Sequence, residues 1–176
     1  ATCDGAFFRG VPIIVVGGGD SAIEEALFLT RFGSKVMVVH RRGELRGSKI
    51  MRARALANEK IEFLWHSVVE EILDVSRATV TGVVLRDLRT DELRTIDCAA
   101  VFVAIGHIPN TDVFEGKLAM KDGYIVPREH GRSYTSVSGV FVAGDCSDHI
   151  YRQAITAAGM GCQAAIDAER WLASVE

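Results

Sequence analysis

Two groups of residues have types and spacings that suit a defined chemistry. They are the turn Gly17-Gly18-Gly19-Asp20-Ser21-Ala22 and the cluster His40-Arg41-Arg42, with Arg46 one helical turn further on. In a Gly17-x-Gly19-x-x-Ala22 turn the first glycine allows a tight bend, and the second lets backbone N–H groups approach a pyrophosphate. The alanine permits close helix–strand packing, and the helix N-terminus faces the phosphate charge. An acidic residue about 20 positions past the glycines would hold the ribose of NAD. Here that stretch carries His40, Arg41 and Arg42 instead, and guanidinium groups pair bidentately with phosphate. The pattern points to NADPH in preference to NADH, and so to redox chemistry. An ordinary strand-to-helix turn and a solvated basic surface are the plain alternatives; the coincidence of position favours the cofactor.

Three further groups are weaker by themselves. Ile105-Gly106-His107-Ile108-Pro109-Asn110 closes a strand where the nicotinamide end of a dinucleotide should arrive, although a lone His107 is an ordinary polar turn residue. Gly144-Asp145 places an acid after a strand-end glycine, which suits hydrogen bonding to the polyol of a second cofactor. Cys3-Asp4 is ambiguous from spacing: an inert thiol, or one half of a redox pair whose other thiol precedes it. Cys98, Cys146 and Cys162 read as packing residues in strand, turn and helix contexts.

These groups need elements to position them. Val11–Val16 reads as a buried parallel strand, and Asp20 as the cap of a helix with an apolar face through Phe32, stopped by Gly33. Lys35–Val39 is a second strand, Ser48–Asn58 a helix and Ile61–Trp65 a third strand. Val68–Thr95 alternates polar and apolar residues around two turns, the pattern of an antiparallel meander, and Ala99–Ile105 is a continuous buried strand. Together these describe a doubly wound, Rossmann-like α/β domain over residues 1–110. Residues 111–176 offer a turn-rich stretch, one strand at Val140–Ala143 and a helix from Ala154 to Leu172. That set cannot bury a core alone, and so it should complete a sheet whose other strands lie elsewhere.

The chain has 176 residues, 48% hydrophobic and 24% charged, the composition of a soluble globular protein. A formal net charge of −3 gives no long-range reason to expect nucleic acid or an anionic membrane as partner. Apolar runs fall short of the ~20 residues a membrane span needs. The four cysteines have no metal-type pairing and are too sparse for a disulfide scaffold, and no signal peptide opens the chain, so a reducing cytoplasm is expected. The opening Ala1-Thr2-Cys3-Asp4-Gly5 reads as the interior of a longer sequence.

Several motifs, in order, resemble one family. Ala1-Thr2-Cys3-Asp4-Gly5 resembles the end of the Cys-Ala-Thr-Cys-Asp-Gly motif of low-molecular-weight bacterial thioredoxin reductases. Val16–Leu27, His40-Arg41-Arg42 with Arg46, Ala104–Asn110 and Gly139–Gly161 resemble the same family. The resemblance implies NADPH contacts at Gly17, Gly19, Asp20, Ser21, Ala22 and Glu24, and at Ile105 and Gly106. It puts the 2′-phosphate on His40, Arg41, Arg42 and Arg46. It implies FAD contacts at Gly144, Asp145, His149, Arg152, Gln153 and Ala154, which makes residues 111–176 the C-terminal part of an FAD-binding Rossmann-like domain. Cys3 matches the redox cysteine nearer the flavin, and Asp4 the acid that manages protons during thiol exchange. Electrons would pass from NADPH to FAD, to an active-site disulfide and to thioredoxin, within a homodimer whose domains swing to let nicotinamide and cysteines alternate at the flavin.

The family's first redox cysteine would immediately precede Ala1, and its N-terminal FAD segment would precede that. The 176-residue polypeptide by itself is therefore expected to bind NADPH, to retain FAD poorly and not to reduce thioredoxin. A cysteine-independent ferredoxin–NADP reductase of the same fold is disfavoured by Cys3-Asp4. The flavoprotein of the alkyl hydroperoxide reductase system, which favours NADH, is disfavoured by His40-Arg41-Arg42. A non-catalytic NADP-binding module is the remaining alternative.

Overall fold

The computed structural model describes residues 3–175; Ala1 and Thr2 of the expected redox-motif remnant lie outside the described residues. The chain divides into two compact units, with the boundary between Gly106 and His107. In chain order the first contains β1 (Pro12–Val16), α1 (Asp20–Leu29), β2 (Lys35–His40), α2 (Lys49–Leu56), β3 (Ile61–Trp65), β4 (Ser67–Ile72), β5 (Gly82–Asp87), β6 (Leu93–Asp97) and β7 (Ala100–Val103).

β1 is β-branched throughout after Pro12, and it sits in the middle of a parallel sheet of order β3-β2-β1-β7. Val15 pairs with Val38 of β2 on one side and Phe102 of β7 on the other. Alternation along the strand then decides which layer each side chain enters. Ile13 and Val15 pack with Ala22, Ala26 and Leu29 of α1. Ile14 points the other way, into a cluster with Met37, Val39, Leu64, Val83 and Leu85. A helix thus covers one face and the expected antiparallel meander, β4-β5-β6, covers the other. After β3 the chain returns to the far side of β1, so the winding direction reverses between β1 and β7. Ligands of doubly wound sheets bind at that reversal, beyond the carboxyl ends of the strands.

Several boundaries differ from the sequence reading. Asp20 is the first residue of α1 and not its cap: Gly19 occupies the N-cap, with no side-chain cap bond. The Asp20 carboxylate is instead engaged by Ser48, whose N–H donates to Oδ1 at 2.8 Å. α1 ends at Leu29, and Phe32 and Gly33 N–H both return to the Leu29 carbonyl at 2.9 Å, tightening the chain into a turn.

The second unit holds a short hairpin that the sequence did not announce, β8 (Met120–Lys121) with β9 (Tyr124–Ile125), and the long α3 (Ala154–Val175). Val140–Ala143 is not a strand. Its ladder is a single antiparallel bridge, Tyr134 to Phe141, because among the described residues no further segment pairs with it. α3 keeps Ile155, Ile166, Leu172 and Val175 exposed, and its one fully buried described residue is Asp167.

Asp167 fastens α3 to the preceding loop. Its Oδ2 accepts the Ser133 N–H at 3.2 Å and the Ser133 hydroxyl at 2.9 Å, and Arg132 lies 3.5 Å from Oδ1. Burial pushes the carboxyl up, but the Ser133 donors and the Arg132 and Arg170 charges outweigh it and hold it below its ordinary 3.8. A folded value below the unfolded one stabilises the unit above the unfolded pKa, and the contribution is lost as pH falls through the folded value. Thermal unfolding followed against pH should therefore show a shallower acid limb in Asp167→Asn than in wild type. Superimposable acid limbs would contradict this role.

Candidate functional site

A cleft in the first unit opens beyond the carboxyl ends of β1 and β2 and beside Ala104, which follows β7. It encloses about 730 Å³. Its lining brings together Gly17, Gly18, Gly19, Asp20, Ser21, His40, Arg41, Arg46, Ile105 and Gly106, so most of the residues singled out for the dinucleotide share one cavity. Ala22, Glu24 and Arg42 do not line it; Ala22 is buried against β1. Glu24 is exposed on α1, and Arg42 is exposed in the loop after β2, with its carbonyl accepting the His66 N–H at 3.4 Å.

Each glycine of the turn has a different reason to lack a side chain. A Cβ on Gly17, whose φ is +152°, would lie 2.4 Å from the Ala104 carbonyl oxygen and 2.7 Å from the Ala22 methyl. One on Gly18 would strike the His40 ring at 2.3 Å. One on Gly19 would meet no protein atom within 4 Å; it would occupy the cradle itself. Beyond it, the first N–H groups of α1 have no carbonyl one turn back to bind, and they carry the positive end of the helix dipole. This donor set and shape fit a pyrophosphate.

His40 enters the site differently from the arginines. The sequence reading groups it with them as a phosphate-holding cation, but its ring lies beneath Gly18 and is 7% exposed. Its Nε2 is buried, with no hydrogen-bond partner among the described residues. Burial pushes its pKa down, backbone groups of Glu44 and Gly17 pull it up, and Arg42 and Arg41 push it down; the balance is below 6.5. Burial thus disfavours the charged form of His40, and its ring forms the floor of the turn. The exposed guanidiniums of Arg41 and Arg46 supply the positive charge of the cleft wall.

Two features had no signal in residue spacing. Ser67, Val68 and Val69 of β4 form one wall of the cleft, a consequence of where the meander packs. The other is the clamp between Asp20 and the segment after β2, visible only once α1 and that segment are adjacent in space.

Cys3 is exposed, and Asp4 is exposed beside it. Gly5, next in line, is buried where a Cβ would meet Leu29 at 2.8 Å and Phe32 at 3.4 Å. The Cys3-Asp4 segment is thereby held at the C-terminal end of α1, whereas the cleft opens at its N-terminal end. Ten residues of helix separate the two, about 15 Å along the axis.

In the second unit, the segment expected to touch a flavin is organised by a residue not singled out for that role, Asp148. Its carboxylate accepts N–H groups of Ile150, Tyr151 and Arg152 at 3.0, 2.9 and 3.0 Å, and the Thr156 hydroxyl at 3.3 Å. Burial pushes its pKa up, and the backbone donors pull it further down, below the ordinary value. An Asp three residues before a polar turn is the available signal, since aspartate readily bonds nearby backbone N–H groups. Gly144 is buried at φ +79° and Asp145 next to it is exposed. Asp145 and Arg152 line a cleft of about 300 Å³ with His107, Asn110, Tyr124 and Cys146. His149 packs against Tyr124 at 5.7 Å between ring centres. Gln153 donates to the Tyr151 and Arg152 carbonyls just before Ala154 opens α3. The exposed acid and the N-terminus of α3 suit a ribityl–phosphate chain.

Residues 1–161 match the family model described as pyridine nucleotide-disulphide oxidoreductase. The chain is 56% identical over 173 residues to a thioredoxin reductase of Mycolicibacterium smegmatis, covering 98% of this chain and 55% of the relative. It is 55% identical over 174 residues to a bifunctional thioredoxin reductase/thioredoxin of Mycobacterium leprae, covering 98% of this chain and 37% of the relative. Among solved structures, thioredoxin reductase from Streptococcus pyogenes superposes with a TM-score of 0.86 at 40% identity, over 97% of this chain and 55% of that one. The chain spans about half the length of the curated relatives it matches.

Proposed function

We propose, since this chain belongs to the pyridine nucleotide-disulphide oxidoreductase family, that it supplies the NADPH site and one redox cysteine of a flavoprotein reducing thioredoxin. The supporting observation is the 730 Å³ cleft in which the open cradle at Gly19 and the guanidiniums of Arg41 and Arg46 face one cavity. When bound, NADPH would supply a hydride, and FAD would carry its two electrons to a disulfide.

The chain's own residues have distinct tasks in this reading. The Gly17–Ala22 turn and the first N–H groups of α1 bind the pyrophosphate. Arg41 and Arg46, with Arg42 beside them, bind the 2′-phosphate, and Ile105 and Gly106 border the path of the nicotinamide. Asp145, Arg152, Gln153 and Ala154, in a loop ordered by Asp148, bind FAD. The NADPH-binding part, expected over residues 1–110, coincides with the first compact unit, which ends at Gly106, and the unit from His107 onward forms the C-terminal portion of the FAD-binding part expected over 111–176. Cys3 and the dinucleotide cleft sit at opposite ends of α1, a separation in keeping with FAD carrying electrons between them. Asp4, adjacent to Cys3, holds or releases the proton that the thiol exchanges.

Thioredoxin is the protein substrate in this reading, the homodimer its assembly and the cytoplasm its compartment. The Mycobacterium leprae relative, a bifunctional thioredoxin reductase/thioredoxin, supports the first. No described helix is long and apolar enough to cross a membrane.

The test is made in a reductase of the relatives' full length that carries this segment. Cys3→Ser should abolish NADPH-dependent thioredoxin reduction, while NADPH still bleaches the flavin absorbance. Undiminished thioredoxin turnover in Cys3→Ser would refute the assignment.

A further inference from the structure

The cleft contains one residue of the wrong sign. Asp20 lies at its lip, at the first position of the helix whose N-terminus should meet a pyrophosphate. A carboxylate there repels phosphate, and NADPH carries three phosphate groups within reach of the wall. The carboxylate has a structural partner instead. Oδ1 of Asp20 accepts the Ser48 N–H at 2.8 Å, and Ser48 ends the segment that bears Arg46. The contacts along that segment are consecutive. Leu45 is buried in a cluster with Ile23 of α1 and Ala55. Arg46 N–H donates to the Gly18 carbonyl at 2.7 Å. Gly47 sits so close that a Cβ would lie 2.5 Å from Ile23 Cδ1 and 3.0 Å from Asp20 Oδ1. The backbone of Arg46 is thereby fastened to the glycine turn on one side and, through Gly47 and Ser48, to Asp20 on the other.

We infer that Asp20 is a positioning residue for 2′-phosphate selectivity: by holding the Ser48 N–H it fixes where Arg46 reaches into the cleft. This rests on the reading of the cleft as an NADPH site. Asp20 does not contact the phosphate in this role; it sets the register between the residues that hold the pyrophosphate and the one that reads the 2′-position. The acceptor oxygen carries this role, and the negative charge is not needed for it.

The chain is titrated calorimetrically with NADPH and with NADH, as wild type and as Asp20→Ala, Asp20→Asn, Ser48→Pro and the double variant Asp20→Ala/Ser48→Pro. Proline removes the Ser48 donor, and the φ of −57° there already suits its ring. Asp20→Ala should lower NADPH affinity about five- to tenfold, the loss of one positioning hydrogen bond, and leave NADH affinity unchanged. Asp20→Asn keeps the acceptor and should bind NADPH at least as tightly as wild type. Ser48→Pro should reproduce Asp20→Ala, and the double variant should be no worse than either, because both remove the same bond. Retained NADH affinity shows that the turn is intact in each variant. If wild type prefers NADPH but Asp20→Ala keeps or sharpens that preference, the inference is overturned and the cofactor reading stands. If wild type itself fails to prefer NADPH, the cofactor reading falls.

Discussion

Gly17→Ala is expected to destabilise the first unit by about 2–5 kcal/mol, combining overpacking with backbone strain, and to abolish NADPH binding. The new methyl would lie 2.4 Å from the Ala104 carbonyl oxygen, closer than any carbon approaches an oxygen without bonding. Neither side can yield cheaply. Ala104 N–H is bonded to the Val16 carbonyl at 2.8 Å, and Gly17 N–H to the Val39 carbonyl at 3.0 Å, so both backbones are pinned to β1 and β2. A φ of +152° adds a conformation that L side chains rarely adopt. Gly19→Ala is the informative contrast. Its methyl meets no protein atom within 4 Å, so the melting temperature should stay near wild type while the cradle is filled and NADPH affinity is lost. Thermal melts and nucleotide titrations on the two variants separate these effects. Equal melting temperatures for both variants would contradict the packing at Gly17, and wild-type NADPH affinity in Gly19→Ala would contradict the cradle.

Neutralising the guanidiniums should act on one nucleotide only. Arg41→Gln and Arg46→Gln are each expected to weaken NADPH binding about tenfold, and together about a hundredfold, the range for charge-assisted hydrogen bonds to phosphate. NADH affinity should not change, because it carries nothing for these side chains to hold. Both residues are exposed, so folding stability should hardly move, and the wild-type preference should shrink as added salt screens the charges. Binding isotherms at low and high ionic strength check this. Parallel losses for NADPH and NADH would mean that these arginines serve the turn and do not read the 2′-position.

The parts of the site that lie in consecutive residues were legible from the sequence. Gly17 to Ala22 states its own geometry, because a strand, a bend and a helix start are local events. Arg41 was legible because its distance from the glycines is fixed by one helix and one strand. The burial of the His40 ring beneath Gly18 is a feature that no spacing reports. Asp20 was misjudged for a related reason. Aspartate at a helix start ordinarily caps, and here Ser48, which lies 28 positions away along the chain, claims the carboxylate. The meander was legible as a meander, but its packing on the Ile14 face, and hence the β4 wall of the cleft, required the folded sheet. Val140–Ala143 shows the converse. Its composition is that of a strand, yet a strand exists only with ladder partners, and its one bridge is to Tyr134.

The central claim is that the cleft at the N-terminus of α1 holds NADPH with its 2′-phosphate on Arg41 and Arg46. Amide and side-chain NMR shifts of the labelled 176-residue chain, recorded with NADPH and then NADH, test it most directly. Both nucleotides should shift the amides of Gly17 to Ala22, and only NADPH should shift the Nε resonances of Arg41 and Arg46. Identical shift patterns for the two nucleotides, or shifts that bypass the Gly17–Ala22 turn, would contradict it.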